Sequence, residues 1–293
     1  MVEQLMNPAT NSLKAVDHNH HNLILWILVG GLFFLRIPFY TGVSVISPPA
    51  TEWVIPVYQV GTYLLTAMAI WWERERLSDY HIDKLALGII ILGAPLDLLF
   101  YQFHIPYKYS TESPAYWLYL PISLILGISL LVGHTRLPRF QKKSLLWLMI
   151  AILTGIILGV VIGILMRNNW PEITKYKPLT QIFSLPAKVL IFLPMHQMFF
   201  AGISEEPFFR GFLWGLLRKV GLKEIWIWLV QAGLFWLGHL YYLGKRPLSF
   251  WLVIPGGLVL GLLAWRSRSI ANSMIAHGLE NGFGQMACFD LMM

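Results

Sequence analysis

Residues 202–213 read Gly-Ile-Ser-Glu-Glu-Pro-Phe-Phe-Arg-Gly-Phe-Leu and place two adjacent carboxylates, Glu205 and Glu206, inside an apolar run. Each charge held there costs a few kcal/mol on insertion scales, so something must compensate it. Glu206 and Arg210 are four residues apart; on a helix they share a face and pair. Glu205 then lies about 100° around the same helix, free to work. Two neighbouring carboxylates do not both ionise easily. Pairing Glu206 with Arg210 keeps that one charged and leaves Glu205 as the group whose basicity its surroundings tune, which is what a general base requires.

Two later stretches carry matching chemistry. Residues 235–239 read Phe-Trp-Leu-Gly-His and residues 277–281 read His-Gly-Leu-Glu-Asn. Phe235 and His239 are four apart, as are His277 and Asn281, so each pair is expected on one face of its helix. Gly238 and Gly278 beside the histidines allow close helix approach. At ~1.5 Å rise per residue, Glu205 and His239 sit roughly 20 Å from the basic or polar ends of their helices, and His277 and Asn281 roughly 10 to 16 Å from theirs. Three distant stretches therefore bring polar groups to overlapping depths. Taken singly, each pair reads as a polar contact gluing helices together. Jointly they form a set suited to hydrolysis, in which carboxylate and imidazole activate water or hold a metal and imidazole and amide stabilise an oxyanion.

The rest of the chain must position these groups inside a membrane. Of 293 residues 56% are apolar and 13% charged, against roughly 25% charged in a soluble protein. That composition excludes a disordered chain and an ordinary soluble enzyme. A single cysteine, Cys288, excludes a disulfide scaffold. Lys and Arg lie between apolar segments, so the net charge of +7 reads as a topology signal and not as a nucleic-acid patch. Apolar segments long enough to span occur near 22–40, 53–72, 85–103, 115–133, 144–166, 225–243, 248–265 and 270–288. A longer one covers 181–218 and holds Pro186, Pro194 and Pro207; its part from 187 is expected as one kinked helix. The expected fold is an all-α transmembrane bundle of about nine spans, with eight or ten as alternatives, enclosing a polar cavity. Residues 1–21 form a polar tail with His18, His20 and His21, residues 22–180 a set of helices of unassigned role, and residues 181–293 the catalytic core. With the N-terminus cytoplasmic, thirteen Lys and Arg fall in inside loops and seven, Arg36 among them, in outside loops, the direction the positive-inside rule prefers. Of the remaining polar groups, Asp97 is an intramembrane carboxylate that invites a functional reading, or else a solvated one near a helix end. His196 is expected as an interhelical hydrogen-bonded histidine, Lys188 as a snorkelling one and Cys288 as an inert thiol.

The three stretches resemble the motifs of the CAAX-protease and bacteriocin-processing family of intramembrane endopeptidases: Glu-Glu-x-x-x-Arg as Glu205-Glu206-Pro-Phe-Phe-Arg210, Phe-x-x-x-His as Phe235-Trp-Leu-Gly-His239, and His-x-x-x-Asn as His277-Gly-Leu-Glu-Asn281. The resemblance covers about residues 195–285. It implies hydrolysis of a peptide bond in a membrane-associated, prenylated or otherwise lipid-anchored protein or peptide. Glu205 would activate water, His239 orient it, His277 and Asn281 stabilise the oxyanion, Glu206 and Arg210 hold the base, and Phe235 shape the pocket. No cofactor is certain. If a metal is used, Glu205, His239 and His277 would bind Zn2+ with Glu206 as base, although the compact His-Glu-x-x-His zinc signature is absent. The other readings are a non-proteolytic scaffold or bacteriocin self-immunity protein and, less favoured, a transporter. With no retention signal, a bacterial cytoplasmic membrane is the expected location, and no nucleic-acid partner is expected.

Overall fold

Buried apolar backbone must satisfy its own hydrogen bonds, and continuous apolar runs do so as helices. The computed structural model describes residues 22–40, 48–102, 114–135, 137–139, 142–167, 187–244 and 247–288. Among them 88% are helical and there is no strand. The polar tail with its three histidines and the loops carrying Lys108, Lys175, Lys177, Lys245 and Arg246 lie outside the described residues, as do the side chains of Lys188 and Cys288.

The helices are α1 (Asn22–Phe34), the short α2 (Ile37–Tyr40), α3 (Pro48–Trp72), α4 (Lys84–Gln102), α5 (Tyr119–Val132) and α6 (Lys142–Arg167), followed in the last third by α7 (Ala187–Gln197), α8 (Ile203–Glu206), α9 (Trp214–Lys219), α10 (Glu224–Leu237), α11 (Pro247–Ser267) and α12 (Ile270–Cys288). Among the described residues four helical stretches are long and apolar enough to cross a bilayer: Trp53–Trp72, Ala115–Val132, Ser144–Arg167 and Pro247–Ser267. The chain is thus an all-α membrane protein.

Residues 187–219 run without a break, but not as one uniform helix. Two π-helical segments, Met198–Gly202 and Pro207–Leu213, flank α8. Pro207 has no N–H to give and its ring crowds the preceding turn; the wider π turn accommodates it without ending the helix. π segments are rare and frequent at functional sites, and these two bracket Glu205 and Glu206.

α10 also departs from expectation. It stops at Leu237, where a 225–243 span was expected, and Gly238 caps it. His239 therefore lies past the helix end, leading into a short 3-10 turn at Leu240–Tyr242. The pairing with Phe235 survives because the His239 ring folds back onto that residue.

Helix α12 is held on two sides, its largest packing partner being α6. A Cβ on Gly155 would stand 2.6 Å from the Ala276 carbonyl and one on Gly163 2.6 Å from that of Gly284, and one on Gly159 would collide with the Glu280 carbonyl. On the opposite side a Cβ on Gly278 would meet the Met198 backbone at 2.7 Å. Missing side chains let backbones approach within reach of dispersion contacts that side chains would prevent. The main core lies where α1, α3 and α4 meet the π segments, around Leu25, Tyr80, Phe208, Phe209 and Phe212. Ser269 caps α12 by accepting from the Ala271 N–H at 3.2 Å.

At one end of the bundle His81 joins this assembly to α9 and α10. Its carbonyl accepts from the Ile270 N–H at 2.9 Å, and its Nε2 accepts from Arg218 Nη2 at 3.1 Å. Since a guanidinium only donates, that nitrogen is unprotonated. Burial, then the Arg218 charge, push the imidazole down to about 4, against the weaker pull of Glu224. An unfolded histidine titrates near ~6.5, so the folded protein binds fewer protons between the two values. The His81 contribution is complete above about pH 6.5 and is lost as pH falls through that window. Thermal unfolding in detergent should show the midpoint dropping by a few degrees from neutral pH to about pH 5, and His81→Gln should flatten part of that slope.

Candidate active site

The two carboxylates meet different surroundings. Glu206 is fully buried and Glu205 keeps 14% side-chain exposure. Oε1 of Glu206 accepts from Arg210 Nη1 at 3.0 Å and from the imidazole of His277, through Nδ1, at 2.8 Å. Arg210 is itself wholly buried. It donates to the Gly257 carbonyl at 3.3 Å and lies 4.2 Å over the Phe235 ring. The i,i+4 pair expected from sequence is therefore present, tied to α11 and α12 as well as to its own helix.

Glu205 faces another way. Its Oε1 lies 3.5 Å from Arg36 Nη1. Its Oε2 lies 3.8 Å from His277 Nε2, too far for a hydrogen bond. That oxygen is buried and has no hydrogen-bond partner among the described residues. Buried polar atoms are nearly always partnered, so an unpartnered carboxylate oxygen facing an imidazole calls for a functional reading. His277 thus spans the pair, with Nδ1 on Glu206 and Nε2 towards Glu205.

His239 packs on the Phe235 side of the site. Its Nδ1 is 2.8 Å from the Phe235 carbonyl. A carbonyl only accepts, so Nδ1 carries the proton and Nε2 of the neutral ring keeps its lone pair. Phe235 stands at the centre, its ring 4.8 Å from His239, 5.9 Å from His277 and 5.3 Å from Phe209. Of the seven site residues expected, Glu205, Glu206, Arg210, Phe235, His239 and His277 gather here. Asn281 lies half-buried one turn beyond His277, and no hydrogen bond ties it to the other six.

Two residues at the site were missed. Arg36, expected in an outside loop, is 3% exposed and lies 3.5 Å from Glu205; its signal in the sequence is a lone cation within the apolar stretch 22–40. Glu280 sits between the two expected residues of the last motif. A Cβ on Gly256 would stand 2.8 Å from its Oε1, and its Oε2 is buried without a partner among the described residues. Asp97 and His196 pair with each other instead, Oδ1 to Nδ1 at 2.6 Å, linking α4 to α7. His196 is thus the interhelical histidine expected.

Residues 186–283 match the family model described as Rce1-like, type II CAAX prenyl endopeptidase. These residues belong to the CAAX-protease family. The matched segment is a third of the chain and contains the whole gathered site except Arg36. No curated protein and no solved structure matches the chain. The match supports a CAAX-type membrane endopeptidase in class, a hydrolase acting on membrane-associated protein.

For a zinc site, Glu205, His239 and His277 would have to converge on one point. Among the described residues no group of three or more His, Cys, Asp or Glu is arranged to hold a metal ion. Oε1 of Glu205 faces Arg36, and His277 Nδ1 is committed to Glu206. The donor atoms left for a metal are Glu205 Oε2, His277 Nε2 and His239 Nε2.

Removing one partner of a fully buried ion pair leaves an uncompensated charge, typically costing about 3–5 kcal/mol. Arg210→Met should therefore lower unfolding stability by about that amount, read by heat or denaturant titration in detergent. Adding Glu206→Leu to it should recover part of the loss, because no lone carboxylate remains.

Proposed function

We propose that the chain hydrolyses a peptide bond with Glu205 as general base and without a metal ion. The observation that carries this reading is Oε2 of Glu205, buried, without a hydrogen-bond partner among the described residues and held 3.8 Å from His277 Nε2. A water beside the two atoms, at about 2.8 Å from each, can serve both groups. Glu205 takes a proton from the water, and the oxygen forms a bond to the carbonyl carbon of the scissile peptide. His239 Nε2 accepts a hydrogen bond from the water and orients it. The tetrahedral oxyanion is met by donors on α12, His277 Nε2 when protonated and the Asn281 amide. Collapse breaks the C–N bond, and Glu205 returns its proton to the leaving amine. Glu206 and Arg210 stay charged throughout and hold His277 in place.

The substrate on this reading is a prenylated protein or peptide. The family description supports it, as does a site among apolar helices that a lipid-anchored segment can approach from the bilayer. The charge distribution along the loops favours a cytoplasmic N-terminus, and a bacterial cytoplasmic membrane is the proposed setting.

The test uses purified protein in detergent and a quenched-fluorescent farnesylated CAAX peptide, with its unprenylated twin as control. Wild type should cleave the farnesylated form preferentially. Glu205→Gln should lower kcat by about a hundredfold or more while the unfolding midpoint stays near that of wild type. A zinc chelator should leave the rate unchanged. Loss of activity with the chelator, restored by zinc, would move the mechanism to a metal centre, and equal cleavage by Glu205→Gln would remove Glu205 from the role of base.

A further inference from the structure

We propose that Arg36, which lies outside the family-matched segment, is a positioning residue that fixes the Glu205 carboxylate and makes the amino-terminal helices part of the active site. The inference rests on the peptidase reading above.

Arg36 follows α1 and opens α2; its carbonyl accepts from the N–H groups of Phe39 at 2.9 Å and Tyr40 at 3.2 Å. The backbone at this turn is therefore fixed before the side chain is considered. The side chain crosses to the catalytic segment and makes two contacts with consecutive residues. Nη2 donates to the Ser204 carbonyl at 2.9 Å, and Nη1 stands 3.5 Å from Glu205 Oε1. Aromatic rings enclose it, with the guanidinium carbon 4.7 Å from the Phe209 centroid, 5.3 Å from Tyr58 and 5.5 Å from Phe208. Tyr40, one turn on, donates its hydroxyl to the Leu234 carbonyl at 3.0 Å. The α1–α2 corner is thus fastened to α8 and to α10, the two elements that carry or adjoin Glu205 and His239.

Both consequences for Glu205 are physical. A cation on Oε1 compensates a buried carboxylate that Arg210, committed to Glu206, does not touch. Holding Oε1 also turns Oε2, the oxygen without a partner, towards His277. A lysine would not reproduce this. It offers one point charge, whereas the planar fork reaches a carbonyl and a carboxylate together while stacking on rings.

The experiment compares Arg36→Gln and Arg36→Lys in the full chain with the farnesylated peptide, and runs a thermal double-mutant cycle on Arg36→Gln and Glu205→Gln. Arg36→Gln should lower kcat by about a hundredfold with KM within about threefold of wild type. Arg36→Lys should restore part of kcat. In the cycle, the double variant should lose less midpoint than the two single losses combined, because removing both leaves no lone buried charge. Additive midpoints overturn the proposal, whatever the rate does. So does an unchanged kcat per folded molecule, which would make Arg36 a packing residue only. If wild type itself leaves the peptide intact, the peptidase reading fails on that substrate class, and the thermal cycle alone decides whether Arg36 holds Glu205.

Discussion

Two adjoining carboxylates buried in an apolar protein are the constraint from which the rest of the site follows. One cation cannot serve both, because consecutive residues on a helix point about 100° apart. The protein supplies two guanidiniums from different directions. Arg210 comes from the next turn of the same helical run and meets Glu206; Arg36 comes from the amino-terminal helices and meets Glu205. The asymmetry between the carboxylates arises there. Both carboxylates have an Oε2 without a hydrogen-bond partner among the described residues; Glu206 is fully enclosed, with its Oε1 shared by a guanidinium and an imidazole, whereas Glu205 meets a single guanidinium and keeps a fraction of its surface open.

Geometry this tight needs rigid supports, and the packing around α12 supplies them. His277 has to place one ring nitrogen on Glu206 and the other towards Glu205, and small errors in the height of α12 would break one contact or the other. Glycines at Gly155, Gly159 and Gly163 bring the α6 backbone against α12, while Gly278 admits the π segment at Met198. Backbone against backbone leaves little room to slide, because no flexible side chain lies between to absorb the shift. The π turns then set the rotation of α8 relative to α12, so the same local irregularity that tolerates Pro207 also aims the carboxylates.

Much of this was legible in the sequence. An apolar composition with continuous runs gives helices in a membrane, and the i,i+4 spacing of Glu206 and Arg210 gives their pair, because both depend on local periodicity. The end of α10 was not legible. Phe235 and His239 have helical spacing, but Gly238 ends the helix between them, and the contact persists through a carbonyl hydrogen bond that periodicity does not encode. Arg36 was harder still. Its partner lies 168 residues away at Ser204, and a lone arginine near the end of an apolar stretch is equally consistent with a loop facing water. Only the folded arrangement distinguishes a topology signal from a counter-ion. Residue roles at the site and the number of spans depend on chemistry and on a bilayer, and neither follows from spacing.

The division of labour between the two parts of the chain can be read in the same terms. The matched segment carries the base, the imidazoles and the Glu206–Arg210 pair, so it holds every reacting group proposed. It lacks a cation for Glu205. Without one, that carboxylate would have to remain in an apolar interior uncompensated, at a cost of several kcal/mol, or draw Arg210 away from Glu206 and release His277. Either outcome dismantles the asymmetry that separates a working carboxylate from a structural one. The α1–α2 corner prevents both with a single side chain, fixed by its backbone turn, its aromatic enclosure and the Tyr40 tie to α10. The amino-terminal helices are therefore not only a membrane anchor for a self-sufficient core, since the electrostatic balance of the core is completed by a residue that the core does not contain.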